Sequence, residues 1–131
     1  MPNCTTGTPS ISLIPNGKLV YVVASAQSSG VQSVTIKDSA GATVFTATGK
    51  SSSGGTFTVI GTGTFSTSAD GIYTVALTAG SGILPGEASV VYQGSVFTQT
   101  YTFGCNDGGC QAGDRDFNDL FVSITCFGRV G

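Results

Sequence analysis

The chain has 131 residues, enough for one domain, with 20 glycines among many serines and threonines. Apolar residues make up 40%, which can fill a core, while charged residues are only 9% against roughly 25% in average soluble proteins. That balance argues against a disordered chain, a net charge of −2 argues against a nucleic-acid surface, and no apolar run is long enough to insert in a membrane as a helix. Histidine is absent, which excludes a Ser-His-Asp or Cys-His centre and any zinc site built on imidazole.

Short β-branched runs bounded by turn residues recur along the whole chain, and no window has helical periodicity. Ile11 to Ile14, Lys18 to Ser25, Val31 to Lys37 and Thr43 to Thr48 read as the first four strands. Thr56 to Phe65, Ile72 to Thr78, Ala88 to Tyr92, Ser95 to Phe103 and Leu120 to Cys126 supply five more. Turns are expected at Pro15-Asn16-Gly17, Asp38 to Gly41, Gly49 to Gly55 and Asp70-Gly71. Nine short strands at this spacing predict an all-β fold, an antiparallel β-sandwich. Hydroxyl-rich strand faces keep such a surface soluble without charge.

Cys4, Cys105, Cys110 and Cys126 form an even set in a short chain, which reads as two disulfides and an oxidising destination, secreted or at the cell surface. The favoured pairing is Cys105 with Cys110, a loop clip, and Cys4 with Cys126, tying the N-terminus to the last strand. A four-thiolate zinc site is the weaker reading, because the C-x2-C knuckles are missing. Met1-Pro2-Asn3 has neither a basic region nor an apolar run behind it, so no signal peptide is visible.

Chemistry concentrates in one place. Of the seven acidic residues, three fall in the run Asp114-Arg115-Asp116-Phe117-Asn118-Asp119. Carboxylates ~5 Å apart repel by roughly 3 kcal/mol per pair at an effective dielectric near 20. A domain so short of charge has no reason to gather them unless a cation offsets the repulsion. Oxygen-only donors select a hard ion, and flexible carboxylates suit calcium better than magnesium. Asp-x-Asp-x-Asn imitates the start of an EF-hand loop, but Asp119 stands where that loop needs glycine, and a strand follows instead of a helix. A solvated acidic turn with Arg115 as counter-ion is the plain alternative, yet one guanidinium cannot neutralise three carboxylates.

The segment Gly113 to Asp119, followed by an apolar strand and a terminal Gly131, resembles the end of the Pseudomonas-type fucose-binding lectin II family. The likeness extends through Ala26-Gln27-Ser28-Ser29-Gly30-Val31-Gln32-Ser33-Val34 and back to Ile11 to Pro15. It divides the chain into an N-terminal extension, residues 1–10, and a lectin domain, residues 11–131. The resemblance implies a calcium-dependent β-sandwich lectin, a homodimer or tetramer, with two ions per site that chelate hydroxyls of fucose- or mannose-like sugars on glycans. It implies that Asp114, Asp116, Asn118 and Asp119 are calcium ligands that also meet the sugar. It adds the backbone carbonyl of Gln27 and the terminal carboxylate of Gly131 from a neighbouring subunit. Ser28, Ser29 and Gly30 would form the loop that sets sugar preference beside the metal. The family's Glu ligand has no direct counterpart in Cys105-Asn106-Asp107-Gly108-Gly109-Cys110; Asp107 is the first choice for that role and Asn106 the second. The competing functions are a structural calcium-binding module of an adhesin or surface protein, an ice-binding threonine array, and a glycosidase using two aspartates. The threonine spacing is irregular, and crowded ion-bound carboxylates cannot also serve as a protonated acid, so no enzyme activity is expected.

Overall fold

In the computed structural model, which describes residues 3–53 and 55–129, nine strands form two antiparallel sheets. The strands are β1 (Ser10–Ser12), β2 (Leu19–Ala26), β3 (Gln32–Asp38), β4 (Thr43–Gly49), β5 (Thr58–Ser66), β6 (Ile72–Leu77), β7 (Gly82–Tyr92), β8 (Ser95–Asn106) and β9 (Leu120–Phe127). One sheet runs β1-β6-β3-β4 and the other β5-β2-β9-β8-β7. Period-two alternation decides which side of each strand is buried. On β2, Val20, Val22, Ala24 and Ala26 face inward, and on β9 Leu120, Val122, Ile124 and Cys126 do the same. Val34, Ile36, Tyr73 and Val75 close the core from the other sheet. The all-β sandwich expected from the sequence is the fold observed.

Turn chemistry is as the sequence implies. Asn16 and Gly17 are both left-handed (φ 68° and 76°), and Asp38 Oδ1 accepts from the N–H groups of Ala40 and Ala42 at the β3–β4 turn. One strand departs from expectation. β7 begins at Gly82, six residues before Ala88, and runs straight through Pro85. Pro85 is tolerated because β7 is the outermost strand of its sheet, where one side of the backbone needs no partner N–H.

The disulfide expectation is corrected. Cys4 bonds Cys110, with Cα atoms 5.9 Å apart, while Cys105 and Cys126 are free and buried. Neither Cys105–Cys110 nor Cys4–Cys126 forms. Strand phase explains this: Cys105 follows Phe103 and Cys126 follows Ile124 on the inward-facing positions, so both thiols lie in the core, fully buried, as small apolar groups. Burial, reinforced by the charges of Asp107 and Asp119, pushes the Cys105 thiol up to about 12. The bond that does form carries the N-terminal segment across the sandwich, where Thr5 and Ile83 exchange backbone hydrogen bonds of 3.0 and 2.8 Å. Gly82 permits the crossing, since a Cβ there would stand 2.7 Å from the Cys110 backbone.

Candidate functional site

Strand register brings the candidate residues to one end of the larger sheet. Ala26 pairs with Leu120, and Leu120 with Cys105. The next step along each strand therefore places Gln27, Asp119 and Asn106 side by side at that end of the sheet, with Asp107 immediately beyond. Backbone bonds fix the row: Asp119 N–H donates to Cys105 O at 3.0 Å, and Gln27 N–H donates to Asp119 O at 3.1 Å. The Asp107 N–H donates to Asp119 Oδ2 at 2.7 Å. Two acidic residues twelve apart in sequence are thus joined directly.

Asp107 also holds the Ser28–Gly30 loop. Its Oδ2 accepts from Ser28 Oγ at 2.8 Å and its Oδ1 from Gln32 Nε2 at 2.8 Å. Gly30 N–H in turn donates to Ser28 Oγ at 3.0 Å, and a Cβ at Gly30 would stand 3.8 Å from Asp107 Oδ2. Ser29 is exposed. A third loop joins through Ser51, whose N–H donates to Ser28 O at 2.8 Å, and through the Gln27 amide, which donates to Gly55 O at 3.1 Å. Asn106 is buried and spends its amide N–H groups on the carbonyls of Gly109 and Ala112, at 2.8 and 2.7 Å. It shapes the loop that precedes the acidic run.

That run is built differently. Asp114, Arg115 and Asp116 are exposed, and Arg115 donates to Gln111 Oε1 at 3.0 Å. Arg115 and Phe117 both take a left-handed backbone (φ 56° each), a conformation that costs non-glycine residues of order 1 kcal/mol or more and gathers at functional loops. The Phe117 carbonyl lies where a Cβ on Gly104 would be, 2.7 Å away, so the loop can rest on β8 only because residue 104 is glycine. Partial burial pushes the Asp119 carboxyl up, the bond from Asp107 N–H opposes this, and repulsion from Asp107, Asp116 and Asp114 adds to the rise. Among the described residues, no three His, Cys, Asp or Glu side chains close into a metal cage by themselves. Gly131 lies outside the described residues.

The donor set nonetheless fits a hard cation. Asn118 Oδ1 is buried with no hydrogen-bond partner. A buried unpaired carbonyl oxygen costs roughly 1–3 kcal/mol, and an ion is one group that would satisfy it. Asp107 is bonded to Asp119, and the charges of Asp114 and Asp116 are felt at that carboxyl, so the oxygen donors of the run gather around Asp119. Sequence reasoning found these acids but missed Gln32, Thr78 and Ser51, which organise the loops around them. An apolar groove lies elsewhere: a cavity of about 590 Å³ between Pro9, Ile11, Pro85, Glu87, Tyr101 and Phe103 shares no residue with the acidic loops.

The family profile described as fucose-binding lectin II (PA-IIL) matches residues 11–128. The chain belongs to that family. Membership makes it a lectin, a carbohydrate-binding protein rather than an enzyme. It is 54% identical over 125 residues to thrombocorticin from Corticium sp., across 93% of this chain and 95% of that one. Among solved structures it superposes on the C-terminal domain of the BC2L-C lectin from Burkholderia cenocepacia with a TM-score of 0.70 at 20% identity, covering 98% of this chain and 100% of that one. The Chromobacterium violaceum lectin CV2L, solved with alpha-methyl-fucoside, gives 0.67 at 20% identity, covering 97% and 99%. The high-affinity mannose-binding lectin of Ralstonia solanacearum gives 0.66 at 16%, covering 91% and 95%. At these identities the three structures establish the fold.

Proposed function

We propose that this lectin binds fucose- or mannose-like monosaccharides on glycans through calcium held by Asp107, Asp114, Asp116, Asn118 and Asp119. The observation that carries the reading is the buried, unpartnered Oδ1 of Asn118 inside a loop of carboxylates. The Gln27 carbonyl is added to the proposed ligand set, and the protein is proposed to act as a dimer or larger homo-oligomer. Two ions per site are proposed. Calcium supplies open coordination positions that vicinal sugar hydroxyls, themselves oxygen donors, can fill.

Around that position the chain's own residues divide the work. Asp107 and Asp119 anchor the two loops to the strand ends, and Ser28, Ser29 and Gly30 stand beside them with hydroxyls available to the rest of a sugar ring. The Cys4–Cys110 bond supports a secreted or cell-surface location, where disulfides persist. Titration against a glycan array, with calcium and again with a chelator, tests the reading. Fucose- or mannose-specific signals that vanish with the chelator support it. Binding that survives the chelator overturns the calcium role, and calcium binding without any glycan signal leaves a structural calcium module.

A further inference from the structure

We propose that Gln32, through Thr78, is a positioning residue that locks the Ser28–Gly30 loop to Asp107, so that the sugar-side and metal-side loops hold one arrangement. Gln32 is the first residue of β3 and only 1% exposed. A buried polar side chain at a strand start needs its donors and acceptor satisfied, and here the donors go to the site and the acceptor to Thr78.

The direction of every proton in this network is determined. Asp107 Oδ1 and Gly30 O can only accept, so Gln32 Nε2 is the end of the amide that faces them, at 2.8 and 3.3 Å. Oε1 is left to accept the proton of Thr78 Oγ1, 2.8 Å away, and that hydroxyl itself accepts from Ser33 N–H at 3.0 Å. The second oxygen of Asp107 accepts from Ser28 Oγ, which itself accepts from Gly30 N–H. One amide therefore touches both ends of the loop-to-acid contact. Thr78, just past the end of β6, ties down the far end of that amide from 46 residues away in sequence. Each Asp107 oxygen has accepted one hydrogen bond and keeps a lone pair free. The consequence for sugar preference rests on the reading above, but the lock itself does not.

The test compares Gln32→Met, similar in length but without donors, and Thr78→Val, which removes the hydroxyl bonded to Oε1 without touching Asp107. Backbone amide exchange is followed by NMR in calcium-free buffer on the full chain. Asp107 N–H reports the acid, and Ser51 N–H, bonded to Ser28 O, reports the loop. Both variants should speed exchange at these two amides at least tenfold while Val22 and Ile124 in the core strands keep their rates. With calcium present, calorimetry with methyl α-fucoside and methyl α-mannoside should show a tenfold or greater loss for the better-bound glycoside and a changed ratio between the two. Unchanged exchange at Asp107 and Ser51 in both variants overturns the lock. Faster exchange that rises equally in the core also overturns it, since Gln32 would then support only global stability. If the unmodified chain binds neither glycoside, the sugar reading fails, and the exchange comparison still decides the lock.

Discussion

The two halves of the candidate site are constructed by different means. Asp107, Asp119, Ser28 and Gln32 are held by hydrogen bonds of 2.7–2.8 Å to partners far away in sequence, at the ends of strands fixed by register. Asp114 to Asp116 stand exposed on a loop with left-handed residues at 115 and 117, and the Asn118 carbonyl beside them lacks a partner. The first half owes its arrangement to the fold. The second offers oxygen donors with little to hold them. Organisation by protein contacts survives removal of an ion, whereas organisation by an ion does not.

The largest expected effect would break the first half. The Cys4–Cys110 bond spans 106 residues and anchors the loop that carries Asp107. Constraining a loop of about 100 residues in the unfolded chain is worth up to ~4.7 kcal/mol. Cys4→Ser should lower the unfolding free energy by several kcal/mol in urea titration and should weaken glycan binding as well. A loss below about 1 kcal/mol would show that the Asn106 and Gly82 contacts hold the loop unaided.

Next in size is the second half's dependence on calcium. Ligand binding to the native state alone adds ~2.7 kcal/mol at a hundredfold excess over Kd. The melting temperature should rise by several degrees on adding calcium, and Asp116→Ala should abolish the rise while leaving the calcium-free melting temperature nearly unchanged. An equal drop in both conditions would place Asp116 in the structured half.

A smaller effect sharpens the comparison within the Ser28–Gly30 loop. Ser28 is tied to Asp107, so Ser28→Ala should disturb calcium and sugar affinity together, contrary to a loop that only tunes sugar preference. Ser29 is exposed and untied, so Ser29→Ala should change the fucoside-to-mannoside ratio by about 1 kcal/mol, one neutral hydrogen bond, with calcium affinity intact. Equal losses for both glycosides would make Ser29 structural.

The smallest effect is a pH dependence. Asp119 titrates above its usual value in the folded, calcium-free chain, chiefly through burial. The folded state then holds that proton more tightly than the unfolded one, so its contribution is most favourable below the ordinary carboxylate range and is lost as pH rises through the elevated value. Asp70, lowered by bonds from Ser39, Ile72 and Ser68, acts in the opposite direction. The difference between the unmodified chain and Asp119→Asn isolates the effect: without calcium, the unmodified chain should gain stability relative to the variant as pH falls from neutral into the carboxylate range. No relative change would mean that Asp119 is relieved by its neighbours.

Much of this was readable from the residues because it depends on near neighbours. Alternation gave the strands, and the density of acids in an uncharged chain marked the loop. The cysteine pairing was misread although the same alternation contains the answer: Cys126 is in phase with Leu120, Val122 and Ile124, hence a core position. β7 starts at Gly82, not Ala88, and passes through Pro85, which a strand tolerates only at an edge; sheet order alone reveals that edge. Gln32 could not be singled out. Alternation with Val34 and Ile36 turns its side chain inward, but its meaning depends on Asp107, 75 residues on, and on Thr78 across the sheet.

The two unpaired core cysteines give the chain a chemical record of its own opening. With Cys105 shifted to about 12 and both sulfurs sealed behind strands, the folded protein offers alkylating reagents almost no thiolate, the species that reacts. Any molecule that gains a label at Cys105 or Cys126 has therefore parted β8 or β9 from the core. The rate at which iodoacetamide accumulates at these positions becomes a clock for unfolding, readable by mass spectrometry in a mixture where neither colour nor activity is available.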